Sequence, residues 1–244
     1  MTVAGTIRPG ARRAMPRLWR RWTLATAAGE LLGFAIPTLA GIAAFARFGE
    51  PRTVVGFLGF LTLVVVAGAG EGATLGLCQW WALRRSLPTL SGRAWIGATA
   101  AAAAIAWLFG MSAAAAGELG DTPVAVRVAV WVIVAPPLLC TIGIGQWLVL
   151  RRTLPRSGDW IAANALAWLA GLPVTFIAPM LVPDGSLPVV WIAAVVGGGL
   201  LMGILVGAIT GAALVRLVEV KAPGALPPTR ATVGRTSGDG SRGA

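Results

Sequence analysis

Histidine is absent from this sequence, and lysine occurs once, as Lys221 near the C-terminus. Without an imidazole there is no histidine acid–base chemistry and no histidine-ligated metal. With the one lysine in the tail, no Ser or Cys inside an apolar segment is paired with a base. Cysteine is scarce as well. Cys78 and Cys140 both lie in apolar stretches, which argues against a disulfide scaffold or a thiolate zinc site. No group of carboxylates has metal-ligand spacing. No glycine-rich loop runs into Gly-Lys-Ser/Thr, which argues against a nucleotide-driven pump. The expectation is a protein with no catalytic residue, no metal and no cofactor, and not an enzyme. Charge is the last shortage: 12% of the 244 residues are charged and 57% are hydrophobic. Soluble domains run near 25% charged and 45–50% apolar, so an ordinary cytosolic protein is excluded, as is a disordered chain. The formal net charge is +11, yet the basic residues sit between apolar blocks and form no nucleic-acid-binding face.

What the chain has in abundance is apolar length. A helix crossing a bilayer needs about 20 mostly apolar residues, since the hydrocarbon core is roughly 30 Å thick and each residue rises about 1.5 Å. Six segments qualify: Trp22–Ala46, Val54–Leu83, Ala94–Gly117, Pro123–Leu150, Trp160–Val182 and Pro188–Val215. The run Ala98–Ala104 shows no strand-like alternation, which argues against a β-barrel. The expected fold is all-α, a polytopic membrane protein with one six-helix domain over residues 18–220. Residues 1–17 and 221–244 are rich in Gly, Pro, Thr, Ser and Arg without apolar periodicity, so both ends are expected to be disordered. The first span follows a basic leader as a signal peptide would, but its apolar run is too long, so it reads as a retained helix.

Arginine placement orients the spans. Seventeen basic residues fall on one side, among them the pairs Arg84-Arg85 and Arg151-Arg152. Only Arg47, Arg52 and Arg127 fall on the other. Both termini are therefore expected in the cytoplasm, with the protein in a bacterial inner membrane. Trp19, Trp22, Trp80, Trp81, Trp95, Trp147 and Trp160 cluster at the same boundary, where indole rings prefer to sit. Beyond setting topology, the Arg pairs form a rim that can hold anionic lipid headgroups.

The chain also repeats itself. Gln79-Trp80-Trp81-Ala82-Leu83-Arg84-Arg85-Ser86-Leu87-Pro88 recurs as Gln146-Trp147-Leu148-Val149-Leu150-Arg151-Arg152-Thr153-Leu154-Pro155. A degraded copy sets Thr210, Leu214 and Arg216 opposite Gln146, Leu150 and Arg152. Gly76, Gly143 and Gly207 each stand three residues before the Gln or Thr, and the preceding helices share a Trp22, Trp95, Trp160 frame. The unit is a two-helix hairpin of about 65 residues in three copies, at about 22–88, 94–155 and 160–217. An even number of helices per unit makes the copies parallel. These motifs resemble those of uncharacterised bacterial multi-pass membrane proteins that repeat Gly-x-x-Gln-Trp-x-x-Leu-Arg-Arg-x-x-Pro. The resemblance covers residues 72–171 well and the last hairpin faintly. It implies architecture and membrane location alone.

Small residues recur at four-residue spacing: Gly68, Gly72 and Gly76 in the second span, and Gly199, Gly203, Gly207 and Gly211 in the last. In lipid this spacing lets helix backbones approach closely, so these seven are expected at helix–helix contacts. Pro37, Pro136, Pro137, Pro173 and Pro179 should kink or locally unwind their helices, with Pro136-Pro137 the foremost candidate for a break.

Intramembrane acids are functional candidates by default, and two qualify, Glu30 and Glu71. They lie roughly 12 and 18 Å below the basic boundary, on the two helices of one hairpin. Two carboxylates side by side in a dry site share a proton or exchange one for a cation; the plainer alternative is an acid neutralised by hydrogen bonding to a neighbour. Arg127, near the opposite surface, is expected to snorkel outward rather than pair with Glu71. Gln79, Gln146, Asn164 and Thr210 either ring a polar cavity or hydrogen-bond between helices. Trp107 and Trp168 read as packing residues. Two functions follow. One is a structural or accessory bundle that binds lipid, a partner membrane protein or a second copy. The other is a small secondary transporter or channel with Glu30 and Glu71 as proton- or cation-coupling acids.

Overall fold

The computed structural model of the chain describes residues 9–118, 122–154 and 156–221. These fold into six helices: α1 Pro9–Phe48, α2 Val54–Leu83, α3 Gly92–Glu118, α4 Val124–Leu150, α5 Asp159–Met180 and α6 Pro188–Lys221. There is no strand among the described residues. Each helix contains a span long and apolar enough to cross a membrane, and the protein is a multi-pass helical membrane protein. α5, at 22 residues, is about 33 Å long and matches a single crossing. The outer surface carries many bare aliphatic and aromatic side chains, among them Leu24, Ile133, Leu169 and Phe176. Such a surface is stable only where the surrounding solvent is itself apolar.

The helices close into a ring. Each packs on the next in sequence, and α6 returns to α1; no other pair of helix backbones comes together among the described residues. Across the middle, only side chains meet. α1, α3 and α5 start at the arginine-rich end, where α2, α4 and α6 finish. Short turns at that end tuck Leu87, Leu90 and Leu154 under the bundle, and these pack with Trp22, Trp95 and Trp160 in the main apolar core. At the opposite end Thr53 caps α2, its hydroxyl accepting from the Gly56 amide at 3.1 Å, which satisfies one free donor of the first turn.

The glycine stripes do much of the ring closure. A Cβ on Gly72 would stand 2.5 Å from Ala103 Cβ and 2.6 Å from the Thr99 carbonyl, and Gly68 lies directly against the Trp107 indole. α2 thus meets α3 on Gly68, Gly72 and Gly76. α6 meets α1 on Gly203, Gly207 and Gly211, facing Ala27, Thr23 and Trp22. Gly199 is a correction, because nothing lies within 4 Å of its added Cβ. Four residues advance a helix by more than one turn, so a four-residue stripe rotates off a straight neighbour. By Gly199 it has left α1, and Gly198 instead packs on Ala178 of α5.

Two further expectations change. The first helix begins at Pro9, so residues 9–17, expected to be disordered, are helical. Proline suits a first helical position, and Arg, Ala, Met and Leu are good helix formers. The remaining terminal residues, 1–8 and 222–244, lie outside the described residues. α4 also runs without interruption through Pro136 and Pro137, so no break occurs there. Each proline removes one amide donor, and where no water competes for the backbone the rest of the hydrogen-bond ladder holds.

Candidate functional site

Three indoles seal the arginine-rich end of the ring. Trp22, Trp95 and Trp160, from α1, α3 and α5, are fully buried, and their ring centroids form a near-equilateral triangle with sides of 5.6, 6.2 and 6.3 Å. Edge-to-face contacts dominate, the arrangement that aromatic quadrupoles favour.

One helical turn further in lies a polar layer with one residue from each helix: Thr26, Gln79, Thr99, Gln146, Asn164 and Thr210. None is more than 3% exposed. Gln146 is its hub. Its Nε2 donates to Gln79 Oε1 at 2.7 Å and to Thr99 Oγ1 at 3.2 Å, while its Oε1 accepts from Trp160 Nε1 at 3.1 Å. Gln79 Nε2 donates to Thr26 Oγ1 at 3.4 Å. Thr210 Oγ1 accepts from Trp22 Nε1 at 2.8 Å and donates to the Val206 carbonyl at 2.6 Å. Asn164 stays within its own helix, donating to the Trp160 carbonyl at 3.0 Å. Gln79, Gln146 and Thr210 therefore bond between helices, and the Asn164 amide does not. Trp95 is the exception among the three indoles, because its Nε1 is buried with no hydrogen-bond partner. Gln79, the glutamine of the adjoining helix, has spent its oxygen on Gln146.

Beyond this layer, toward the opposite end, the ring holds a partly open cavity of about 330 Å³ walled by α1 to α5. Alanines, Gly110, Met111 and Leu138 form much of the wall, and five aromatic side chains complete it. Among the described residues Glu71 is the one titratable group in the lining. Thr141 and Thr175 also face the cavity, but each donates its hydroxyl to its own helix, at Leu138 O and Leu172 O. Leu138, Trp168, Leu172 and Phe176 have a second role. They also line a groove on the outside of α4 and α5 that includes the exposed Leu169 and Ile177. These four side chains are common to the cavity and the outer groove.

The two acids are brought together. A Cβ on Gly33, one turn along α1 from Glu30, would lie 2.9 Å from the Glu71 carbonyl and 3.2 Å from its Cγ. α1 and α2 thus touch at Glu71, one turn of α1 from Glu30. Their surroundings differ. Glu71 Oε2 accepts from Trp107 Nε1 at 2.5 Å, whereas Glu30 is fully buried and neither of its oxygens has a partner. Trp107, read from sequence as packing, is a partner of the cavity acid. Its depth was legible: it lies fifteen residues into α3, about 22 Å from the helix start, close to the 18 Å of Glu71. Thr26 and Thr99 were likewise passed over, though each stands four residues after a frame tryptophan, as Asn164 does.

The remaining candidates lie at the surface. Arg127 is exposed and donates from Nε to the Thr122 carbonyl at 3.2 Å. Arg84, Arg85, Arg151 and Arg152 are exposed at the arginine-rich end. There the Arg84 guanidinium lies 5.8 Å from the rings of Trp80 and of Trp81, and that of Arg151 lies 4.9 Å from Trp147. These stacks hold the cations at the level of the tryptophan belt. No protein-family model, no curated protein and no solved structure matches this chain.

Proposed function

We propose that this chain is a bacterial inner-membrane bundle of three two-helix repeats, both termini cytoplasmic, whose interior cavity binds a lipid or another amphiphile dissolved in the membrane. The observation that carries this reading is the cavity itself. It is closed toward the arginine-rich end by the polar layer and the indole triangle, is apolar almost throughout, and shares Leu138, Trp168, Leu172 and Phe176 with a groove on the outside of α4 and α5. Ligand sites are concave, mostly apolar and marked by few polar groups. The repeat reading is supported by the matched depths of the three tryptophans and of Gln79, Gln146 and Thr210. The cytoplasmic assignment is supported by arginine placement, and the exposed Arg pairs suit anionic headgroups.

The test is retention of lipid through purification. Native mass spectrometry of the parent should show a bound amphiphile, and Ala106→Phe, which fills the cavity from α3, should lose it while remaining folded. Equal retention by both would overturn the reading. In the accessory role the occupied bundle also docks a partner membrane protein or a second copy of itself.

A second reading, a secondary transporter with Glu30 and Glu71 as coupling acids, is favoured by one observation, the unpartnered Glu30 carboxyl beside the cavity acid. Liposome flux that stops when both acids become Gln would support it. Flux unaffected by the double change would remove it.

A further inference from the structure

We propose that the amphiphile this cavity selects is a lipophilic cation. The inference rests on the binding reading above and adds the charge of the ligand. Phe34, Trp107, Trp131, Trp168 and Phe176 surround the space, and Glu71 supplies the one ionisable group among the described lining residues. Aromatic faces carry negative quadrupole density and attract cations, most strongly where water is excluded. A carboxylate in such a setting is unfavourable without a counter-charge. No Arg or Lys lines the cavity among the described residues, and Arg127, on α4, is committed to Thr122.

The second acid strengthens the case. Glu30 lies on the adjoining helix, fully buried against Gly203 of α6, with both oxygens free of hydrogen bonds. Glu71 is the acid in the described cavity lining, and Glu30 stands one turn along α1 from Gly33, which packs on Glu71. An ionised Glu71 repels an anionic amphiphile of the same shape and attracts a cationic one. Glu71 is held in place by Trp107, and Trp107 is itself seated on Gly68, so the carboxyl and one wall of the aromatic cage form one rigid unit. The cation's apolar substituents reach the cavity past Leu138, Trp168, Leu172 and Phe176, and its charge centre comes to rest beside Glu71.

The experiment compares two ions of matched shape and opposite charge, tetraphenylphosphonium and tetraphenylborate, by calorimetric titration into the full-length protein in neutral detergent. Micelles without protein and Ala106→Phe serve as backgrounds. The expected result is saturable one-to-one binding of the phosphonium, at least tenfold weaker in Glu71→Gln, with no saturable binding of the borate. Glu71→Gln keeps an oxygen for the Trp107 N–H, so loss of binding there reports charge rather than collapse of the cage. Saturable borate binding, or phosphonium binding unchanged in Glu71→Gln, would overturn the cation inference while leaving an amphiphile-binding cavity in place. If neither ion binds and Ala106→Phe retains the same native lipid as the parent, both the inference and the reading beneath it fail.

Discussion

Gln146 and Gln79, sixty-seven residues apart on α4 and α2, share a buried hydrogen bond of 2.7 Å across the middle of the ring. The backbones of these two helices do not approach each other, so the side-chain amides carry the contact. Gln146 also takes the Trp160 N–H and donates to Thr99. Replacing it with Leu strips the Gln79 oxygen and the Trp160 N–H of their partner, while Thr99 keeps its bond to the Trp95 carbonyl, and a buried group left without its partner costs about 1–3 kcal/mol. Gln146→Leu should therefore unfold at lower denaturant than Gln79→Leu, from which Gln146 keeps its bonds to Thr99 and Trp160. Unfolding in mixed micelles with rising dodecyl sulfate gives the comparison. An equal effect of the two would show that the layer has no hub.

The indole triangle allows a paired test of equal volume change. Trp160→Phe and Trp95→Phe remove the same atoms from fully buried sites. Only the first deletes a hydrogen-bonding N–H, while the second deletes one that has no partner. Trp160→Phe should be the more destabilising by about 1 kcal/mol, read from the same unfolding curves. The opposite order would mean that the Trp95 N–H is satisfied in the membrane.

Gly72 and Gly199 belong to stripes that look alike in sequence and differ in place. Ala at 72 drives a methyl into Ala103 and the Thr99 carbonyl, whereas Ala at 199 meets open space. Overpacking of this kind costs about 1–3 kcal/mol. Gly72→Ala should lower the melting temperature of the solubilised protein and Gly199→Ala should leave it unchanged. A matching drop in both would place a neighbour on Gly199, such as a second copy of the chain.

Glu30 has no donor for either carboxyl oxygen. Burying an unpaired polar group costs about 1–3 kcal/mol on the protein scale. Glu30→Met, close in volume and apolar, should therefore raise stability by a comparable amount. A residue retained at a cost to stability serves something other than folding. Lower stability of Glu30→Met would show instead that the acid is a structural hydrogen-bonding group.

Six helices were legible because lipid imposes a length and composition that few other contexts demand. The Arg-Arg pairs and the indole belt were legible as surface features for the same reason. Pairing across the ring was legible only in part. The repeated Gln79 and Gln146 stood out in the repeat, whereas Thr26 and Thr99 share with Asn164 only a place four residues after a tryptophan, and acquire a role when helix rotation turns them inward. Trp107 illustrates the limit. Its depth follows from counting residues, yet its bond to Glu71 depends on the α2–α3 crossing angle, which Gly68 and Gly72 set through contacts with no counterpart in composition. Gly199 fails in the other direction, since spacing along one helix says nothing about where the neighbouring helix departs. Pro136 and Pro137 mark a place where local propensity loses to a backbone that has no water to turn to.

The central claim is that the ring is a container. A photoactivatable fatty-acid probe, added to membranes holding the full-length protein, irradiated and followed by peptide mass spectrometry, tests it most directly. Labels on Ala106 and Gly110 of the cavity wall, lost in Ala106→Phe, are the predicted result. Labels confined to outward-facing residues such as Leu24, Leu169 and Ile177 would contradict it, and the bundle would then be a solid scaffold that meets lipid only on its outside.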